Sequence, residues 1–287
     1  MLAIIGKSGQ LSQALQELCT SIQQPMIAFG RNDIDLLDIE SVLEAFHTHS
    51  VSAVINASAY TAVDKAETDQ QAAFALNDLA VGNLAEASKK QGIHLVHVST
   101  DYVFAGDKGS PYQPDDELAP NGIYGASKAA GENNLLSKYG ENSCVLRTSW
   151  VYSKFGNNFV KTMLRLMKEK PALGVIDDQI GSPTSATTLA EVCLKASQSK
   201  LIGVHHVSDE GVASWYDFAV EIQRQGLDKD ILVNKIPIKP ILTSEYPTHA
   251  ARPHYSVLSK SSLKKALNDI ELPHWQHALA LVINDLA

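Results

Sequence analysis

The chain has 287 residues and a mass of 31.1 kDa, room for one large domain or two small ones at roughly 150 residues per domain. Its 24 basic and 32 acidic side chains leave a net charge of −8, which argues against nucleic acid or an anionic membrane as the main partner. With 45% apolar and 20% charged residues the composition is that of a folded globular protein, and no apolar run approaches the ~18 residues of a membrane span.

The opening residues, Met1-Leu2-Ala3-Ile4-Ile5-Gly6, have no basic segment ahead of the apolar run. No signal peptide is expected, and the cytoplasm is the expected location. Residues 2–5, 25–29, 51–55, 94–98 and 144–147 are short aliphatic runs with little polar alternation, as in strands covered on both faces. Amphipathic stretches at 11–18, 39–47, 70–91 and 125–139 separate them. Strand alternating with helix predicts right-handed crossovers and an α/β fold: a Rossmann-like, doubly wound parallel sheet over residues 1–150. Beyond Trp150 the texture changes. Residues 158–168 and 185–199 read as helices, 204–207 and 236–241 as short strands, and turn residues crowd 177–184 and 246–254. This predicts a smaller α+β, mainly substrate-binding portion over 151–287, with some segments returning to the large sheet. Cys19, Cys144 and Cys193 are odd in number and far apart, so they read as buried, reduced thiols.

Gly6-Lys7-Ser8-Gly9-Gln10-Leu11-Ser12 follows the first strand and opens the first helix. Glycine permits the tight turn and lets backbone N–H groups approach a pyrophosphate at the helix N-terminus. A plain tight turn is the alternative. Ser12 stands where a third Gly or Ala is usual and is small enough for close helix–strand packing. A NAD site commonly has an acid at the tip of the second strand. Here that strand ends Phe29-Gly30-Arg31-Asn32, with no acid at its tip. Arginine pairs with a 2′-phosphate, so NADP is favoured over NAD, with a solvated surface arginine as the alternative. Asp35-Leu36 is placed to meet the adenine edge; Asp35 equally suits a helix cap.

The middle of the chain carries the strongest signal. A strand ends in Ser99-Thr100-Asp101, and Tyr124-Gly125-Ala126-Ser127-Lys128 leads into a helix. Tyr124 and Lys128, at i and i+4, share a helix face. An ammonium there is expected to lower the phenol's pKa and let Tyr124 exchange a proton with a carbonyl or alcohol. A strand-end hydroxyl from Thr100 can bond the same oxygen. The other reading is an interfacial tyrosine beside a solvated lysine.

These features resemble the extended type of the short-chain dehydrogenase/reductase superfamily and, within it, the dTDP-4-dehydrorhamnose reductases. The resemblance rests on residues 6–11, 56–67, 99–104 and 124–128, and continues through Arg147-Thr148-Ser149-Trp150-Val151-Tyr152, 156–159, 178–184, 214–218 and Arg252-Pro253-x-x-Ser256. It implies Thr100, Tyr124 and Lys128 as the catalytic trio. It implies a cofactor site of Gly6, Gly9, Gln10 and Leu11 at the pyrophosphate, Gly30, Arg31, Asp35 and Leu36 on the adenosine side, and Ala59, Tyr60 and Thr61 toward the nicotinamide, where Lys128 also reaches the ribose. Thr100, Asp101 and Trp150 would contact the deoxysugar, and Arg252 the nucleotide phosphates. The implied reaction is NADPH-dependent reduction of the C4 ketone of dTDP-4-dehydro-6-deoxy-L-mannose to dTDP-L-rhamnose, with NADH as a second donor. Some members carry a magnesium ion bridging subunits through glutamates. The matching positions here are Ala14 and Thr187, so no metal is expected. The expected partners are a small-molecule nucleotide sugar and, as an assembly, a homodimer, with no nucleic acid and no membrane. Two other readings stay open: another nucleotide-sugar reductase or epimerase, and a non-catalytic dinucleotide-binding regulatory subunit. Intact Thr100, Tyr124 and Lys128 count against the last.

The remaining candidates read more plainly. His94 and His97, three apart on a strand, face opposite ways and do not suit a shared metal; the adjacent His205-His206 is no better placed. Asp177-Asp178 reads as part of a turn, and Asp115-Asp116-Glu117 as a solvated loop. Trp215, Tyr216 and Phe218 read as core, whereas Trp150, just past a strand end, reads as a ligand contact.

Overall fold

The computed structural model describes residues 1–268 and 270–287. Its centre is a six-stranded parallel sheet. The first five strands are β1 (Leu2–Ile5), β2 (Met26–Phe29), β3 (Ala53–Asn56), β4 (His94–Thr100) and β5 (Ser143–Thr148). The sixth is Gly203–His206, so the chain returns to this sheet late, and the spatial order is Gly203–His206, β5, β4, β3, β1, β2. β1 shows why unbroken aliphatic runs belong here. Leu2 and Ile4 pack into one core, and Ala3 and Ile5 into another on the opposite face. Helices Gln10–Ser21 and Ala186–Gln198 cover the first face, and Ile39–Thr48, Ala80–Gln91 and Ile123–Tyr139 the second.

The chain goes from β1 outward to β2, then crosses back over β1 to reach β3. That reversal opens a crevice at the carboxyl ends of β1 and β3, the usual ligand position in open α/β sheets.

The stretch 70–91 is helical throughout, as its periodicity predicts, but it contains a π-turn at Ala75–Leu79. This wide turn meets the Ile123–Tyr139 helix at Gly131, where a Cβ would stand 1.9 Å from the Asn77 carbonyl oxygen. A third core lies beyond β5. It joins helices Phe159–Glu169, Trp215–Asp228 and Trp275–Asn284 around Tyr152, Phe218 and Trp275. Strands Leu173–Ile176 and Ile238–Ile241 pair beside it. Among the described residues, no helix is long and apolar enough to cross a membrane.

Candidate active site

A cleft of about 1500 Å³ runs along the carboxyl ends of β1 to β5, from Gly6 and Arg31 at one end to Trp150 at the other. At Gly6 the backbone has φ +99°, and a Cβ there would lie 3.1 Å from the Ser58 backbone, so only glycine is comfortable. The turn delivers the chain to Gly9, which caps the Gln10–Ser21 helix with no side-chain hydrogen bond. The first N–H groups of that helix are therefore without a side-chain acceptor, and a Cβ at Gly9 would meet nothing within 4 Å. An uncapped helix end above open space fits a dinucleotide pyrophosphate. Gln10 Oε1 accepts from Ser153 Oγ (3.2 Å) and Asn158 Nδ2 (2.9 Å), which tethers the 153–158 loop to the glycine turn. Ser12 is fully buried, and its hydroxyl has no partner among the described residues.

The adenosine end corrects one expectation. An acid does reach the tip of β2: Asp33 folds back, its Oδ2 accepting from the Gly30 N–H at 2.8 Å and pairing with Lys7 Nζ at 3.4 Å. The Gly30 N–H and Lys7 hold its carboxyl below the ordinary range. Reading the strand tip as adjacent positions missed it, because a turn closed by the Asp33 N–H on the Gly30 carbonyl brings residue 33 back. Arg31 is exposed on the cleft wall beside it. Asp35 also lines the cleft, but its carboxylate accepts from the Leu37 N–H (2.9 Å), and Asp38, not Asp35, caps the next helix. Leu36 lies on the same wall.

At the other end, Thr100 closes β4 in register with Thr148 on β5. Its hydroxyl donates to Asp101 Oδ1 at 3.0 Å and accepts from the Tyr102 N–H. Tyr124 and Lys128 stand one turn apart at the start of the Ile123–Tyr139 helix, and both line the cleft with Thr100. Gly125 lets this helix press onto the turn after β4, for a Cβ there would sit 2.1 Å from the Tyr102 carbonyl oxygen. Glu67, far away in sequence, caps the helix by accepting from the Ile123 N–H at 2.9 Å. Asn77, in the π-turn, bonds both backbone groups of Tyr60 and donates to Ser127 Oγ at 3.0 Å, so it ties the 59–61 loop to the helix that carries Tyr124 and Lys128. Sequence reasoning missed Glu67 and Asn77; their partners lie 56 and 17–50 residues away.

The electrostatics correct a second expectation. Burial pushes the Tyr124 phenol well above its ordinary value, the Thr100 hydroxyl works against this, and nearby Asp101 adds to it. Lys128 does not offset the burial. Its ammonium is itself desolvated, which lowers it to about 8, and Nζ donates to the Val98 carbonyl at 2.7 Å. Asp101 is buried, which raises its carboxyl to about 6 although its Oδ1 accepts from the Thr100 hydroxyl.

Trp150 stands at the far end in the left-handed region, φ +50°, rare and strained for a bulky residue. Its indole stacks on Trp215 with centroids 3.6 Å apart and planes 8° from parallel. Trp215 packs against the third core, as expected, and backs the Trp150 ring that lines the cleft. Gly181 makes room behind it, since a Cβ there would be 2.6 Å from the Trp150 ring.

Gly6, Gly9, Gln10, Leu11, Gly30, Arg31, Asp35, Leu36, Ala59, Thr61, Thr100, Asp101, Tyr124, Lys128 and Trp150 all border the one cleft. Tyr60 and Arg252 do not. Tyr60 turns its hydroxyl to Asp69 Oδ2 (3.1 Å), and Arg252 Nη2 pairs with Asp64 Oδ2 at 2.7 Å. Ser99, Thr148, Ser149 and Asn157, which lie in the matching stretches of sequence but carry no expected role there, line the cleft as well. Asp177 and Asp178 bond Ser214 and Thr243, in structural roles. Among the described residues, no three His, Cys, Asp or Glu side chains gather as a metal site. All three cysteines are buried and unbridged.

In fold, and in a cleft that joins a glycine-turn nucleotide site to a Tyr-x-x-x-Lys helix, the chain is an extended-type short-chain dehydrogenase/reductase. It belongs to the RmlD substrate binding domain family, which it matches over residues 1–287. A dTDP-4-dehydrorhamnose reductase of Aggregatibacter actinomycetemcomitans is 38% identical over 285 residues, covering 97% of this chain and 96% of that protein. The crystal structure of a dTDP-4-dehydrorhamnose reductase from Clostridium acetobutylicum ATCC 824 is similar with a TM-score of 0.93 and 37% identity over 99% of both chains. The dTDP-4-dehydrorhamnose reductase of Bacillus anthracis str. Ames, solved in complex with NADP, gives 0.92 and 36%, covering 99% of this chain and 98% of that one.

Proposed function

We propose that this protein reduces the C4 ketone of dTDP-4-dehydrorhamnose to the alcohol of dTDP-L-rhamnose, with NADPH as the preferred hydride donor and NADH as a second one. The observation that carries this reading is the shared cleft: Thr100, Tyr124 and Lys128 border the same space as the uncapped helix end at Gly9 and the Trp150 indole. Bound there, the nicotinamide supplies the hydride to C4. Tyr124 gives its hydroxyl proton to the ketone oxygen, so the substrate gains one hydride and one proton in all. A phenol raised by burial is fully protonated near neutral pH, which suits a donor to a developing alkoxide. Thr100 donates to the same oxygen once its hydroxyl hydrogen turns from Asp101 Oδ1, while the Tyr102 N–H keeps its oxygen in place. The Trp150 indole offers the deoxysugar an apolar face. Arg252, paired with Asp64 beside Tyr102, is assigned to the substrate phosphates once the ion pair opens.

The buried, unbridged thiols suit a reducing cytoplasm. The test is NADPH consumption against dTDP-4-dehydrorhamnose and a UDP-4-keto sugar, with the product identified by NMR. Turnover of the dTDP sugar to dTDP-L-rhamnose is expected. Preference for the UDP sugar would move the assignment to another nucleotide-sugar reductase, and dinucleotide binding without turnover of either would favour a regulatory subunit.

A further inference from the structure

His97 lies fully buried in β4, in register with Asn56 of β3. Its Nδ1 is 3.0 Å from Asn56 Nδ2, and its Nε2 is 3.2 Å from Lys128 Nζ. Counting hydrogens along this chain fixes where the protons sit. The Ser58 backbone N–H can only donate, and its partner at 3.1 Å is Asn56 Oδ1; the Ser58 hydroxyl donates to the same oxygen at 2.7 Å. The carboxamide therefore turns its NH2 group to His97, and that group only donates. Nδ1 must accept, which leaves the one proton of the neutral ring on Nε2. An imidazolium would set N–H against N–H at Asn56. The Nε2–H then faces Lys128 Nζ. An ammonium has no lone pair to receive it, whereas a neutral amine has one. Of that amine's two hydrogens, one goes to the Val98 carbonyl at 2.7 Å, and the other is left for the cleft that Lys128 borders.

We infer that His97 is a positioning residue for the reduction proposed above: the Ser58–Asn56–His97 chain fixes the Nε2–H tautomer, and that tautomer disfavours the ammonium form of Lys128 in the enzyme free of cofactor. The role in reduction rests on that reading of function; the protonation state does not. Burial acts in the same direction on both groups, lowering Lys128 to about 8 and His97 well below its ordinary value. Titratable groups on the elements packed here include Tyr124 and Glu132 on the same helix, Asp101 beyond β4, Arg147 on β5 and Asp78 in the π-turn; Lys138 and Tyr139 stand at the far end of that helix, His94 at the start of β4, and Cys144 is buried in β5. Glu132 raises Lys128, but its carboxylate is committed to Arg147, with Oε2 2.7 Å from Nη2. Asp78 is bonded to Asn134. Burial, not Lys128, dominates at Tyr124, so the phenol keeps the proton it is to donate.

The test is NMR on the isotope-labelled free enzyme. His97 is expected as the Nε2–H tautomer with no titration between about pH 5 and 9, and Lys128 is expected to titrate near 8, not at the ordinary 10.5. Asn56→Asp keeps the bonds to Ser58 but accepts from Nδ1–H. That moves the ring proton, turns Nε2 into an acceptor for an ammonium, and is expected to raise Lys128 toward 10.5. An Nδ1–H tautomer in the wild type, a wild-type Lys128 at 10.5, or a Lys128 unmoved by Asn56→Asp would each overturn the inference. If Asn56→Asp does not fold, the wild-type spectra decide alone, and His97→Gln gives a second variant of similar size. None of these spectra needs sugar or dinucleotide, so they stand whether or not the reductase reading does.

Discussion

Cofactor choice turns on three side chains at the tip of β2. Arg31 is exposed on the cleft wall, and Asp33 sits beside it with its carboxylate held by the Gly30 N–H at 2.8 Å and by Lys7 at 3.4 Å. An acid at this position ordinarily binds ribose hydroxyls and repels a 2′-phosphate. Here Lys7 offsets the Asp33 charge, and Arg31 can offer a two-pronged contact to the phosphate. A charge-assisted contact of this kind supplies roughly ten- to hundredfold in affinity when sheltered. Arg31 is in water, so the lower end, about tenfold, is the expected size. Arg31→Ala should therefore cut kcat/KM for NADPH by about tenfold while leaving NADH within about twofold. Asp33→Asn should act in the opposite sense, favouring NADPH further and weakening NADH. The assay is steady-state reduction with each dinucleotide at saturating sugar, at two ionic strengths. The Arg31 effect should shrink at high salt, because the partner charges are exposed. An equal loss for both dinucleotides, independent of salt, would make Arg31 a surface charge and leave the NADPH preference without a physical cause.

Three further outcomes are expected. Tyr124→Phe should lower kcat by about 10² or more, with dinucleotide affinity by fluorescence titration unchanged, since Thr100 keeps its bonds to Asp101 and Tyr102; a variant with most of its activity would remove Tyr124 from the chemistry. Gly131→Ala would set a Cβ 1.9 Å from the Asn77 carbonyl oxygen, so a loss of about 1–3 kcal/mol by urea denaturation is expected, together with weaker dinucleotide binding as the Asn77 clip on Tyr60 and Ser127 loosens. Glu132→Gln would leave the buried Arg147 guanidinium without a compensating charge at 2.7 Å, costing about 3–5 kcal/mol. Replacing both residues by leucine and methionine should cost less than the single change, and the reverse order would contradict the view that the unpaired charge is the penalty.

The strands of the sheet were legible because each is a run of aliphatic residues buried on both faces, and the alternation with helices leaves few ways to connect them. The placement of side chains on the cleft was legible where they sit at the joint between a strand and the following helix, as at Gly6–Leu11, and at Thr100, Tyr124 and Lys128. There the residues that meet are near in sequence or held by helical spacing, so a local pattern is enough. Reading failed where a residue's direction is set by something distant. Tyr60 lies in the same short loop as Ala59 and Thr61, yet Asn77 takes both its backbone groups and Asp69 its hydroxyl, so it faces away from the cleft. The π-turn that carries Asn77 is invisible to a 3.6-residue period, because one wide turn barely disturbs the apolar stripe. Arg252 meets Asp64 across 188 residues, and no spacing rule reaches that far. The protonation of the site is of this second kind. The i, i+4 spacing put Tyr124 and Lys128 on one face correctly, but the state of Lys128 depends on His97, one strand away, and that of His97 on Asn56, a further strand away. Neighbouring residues in the sequence choose which side chains enter the cleft, and register between strands decides which protons they hold.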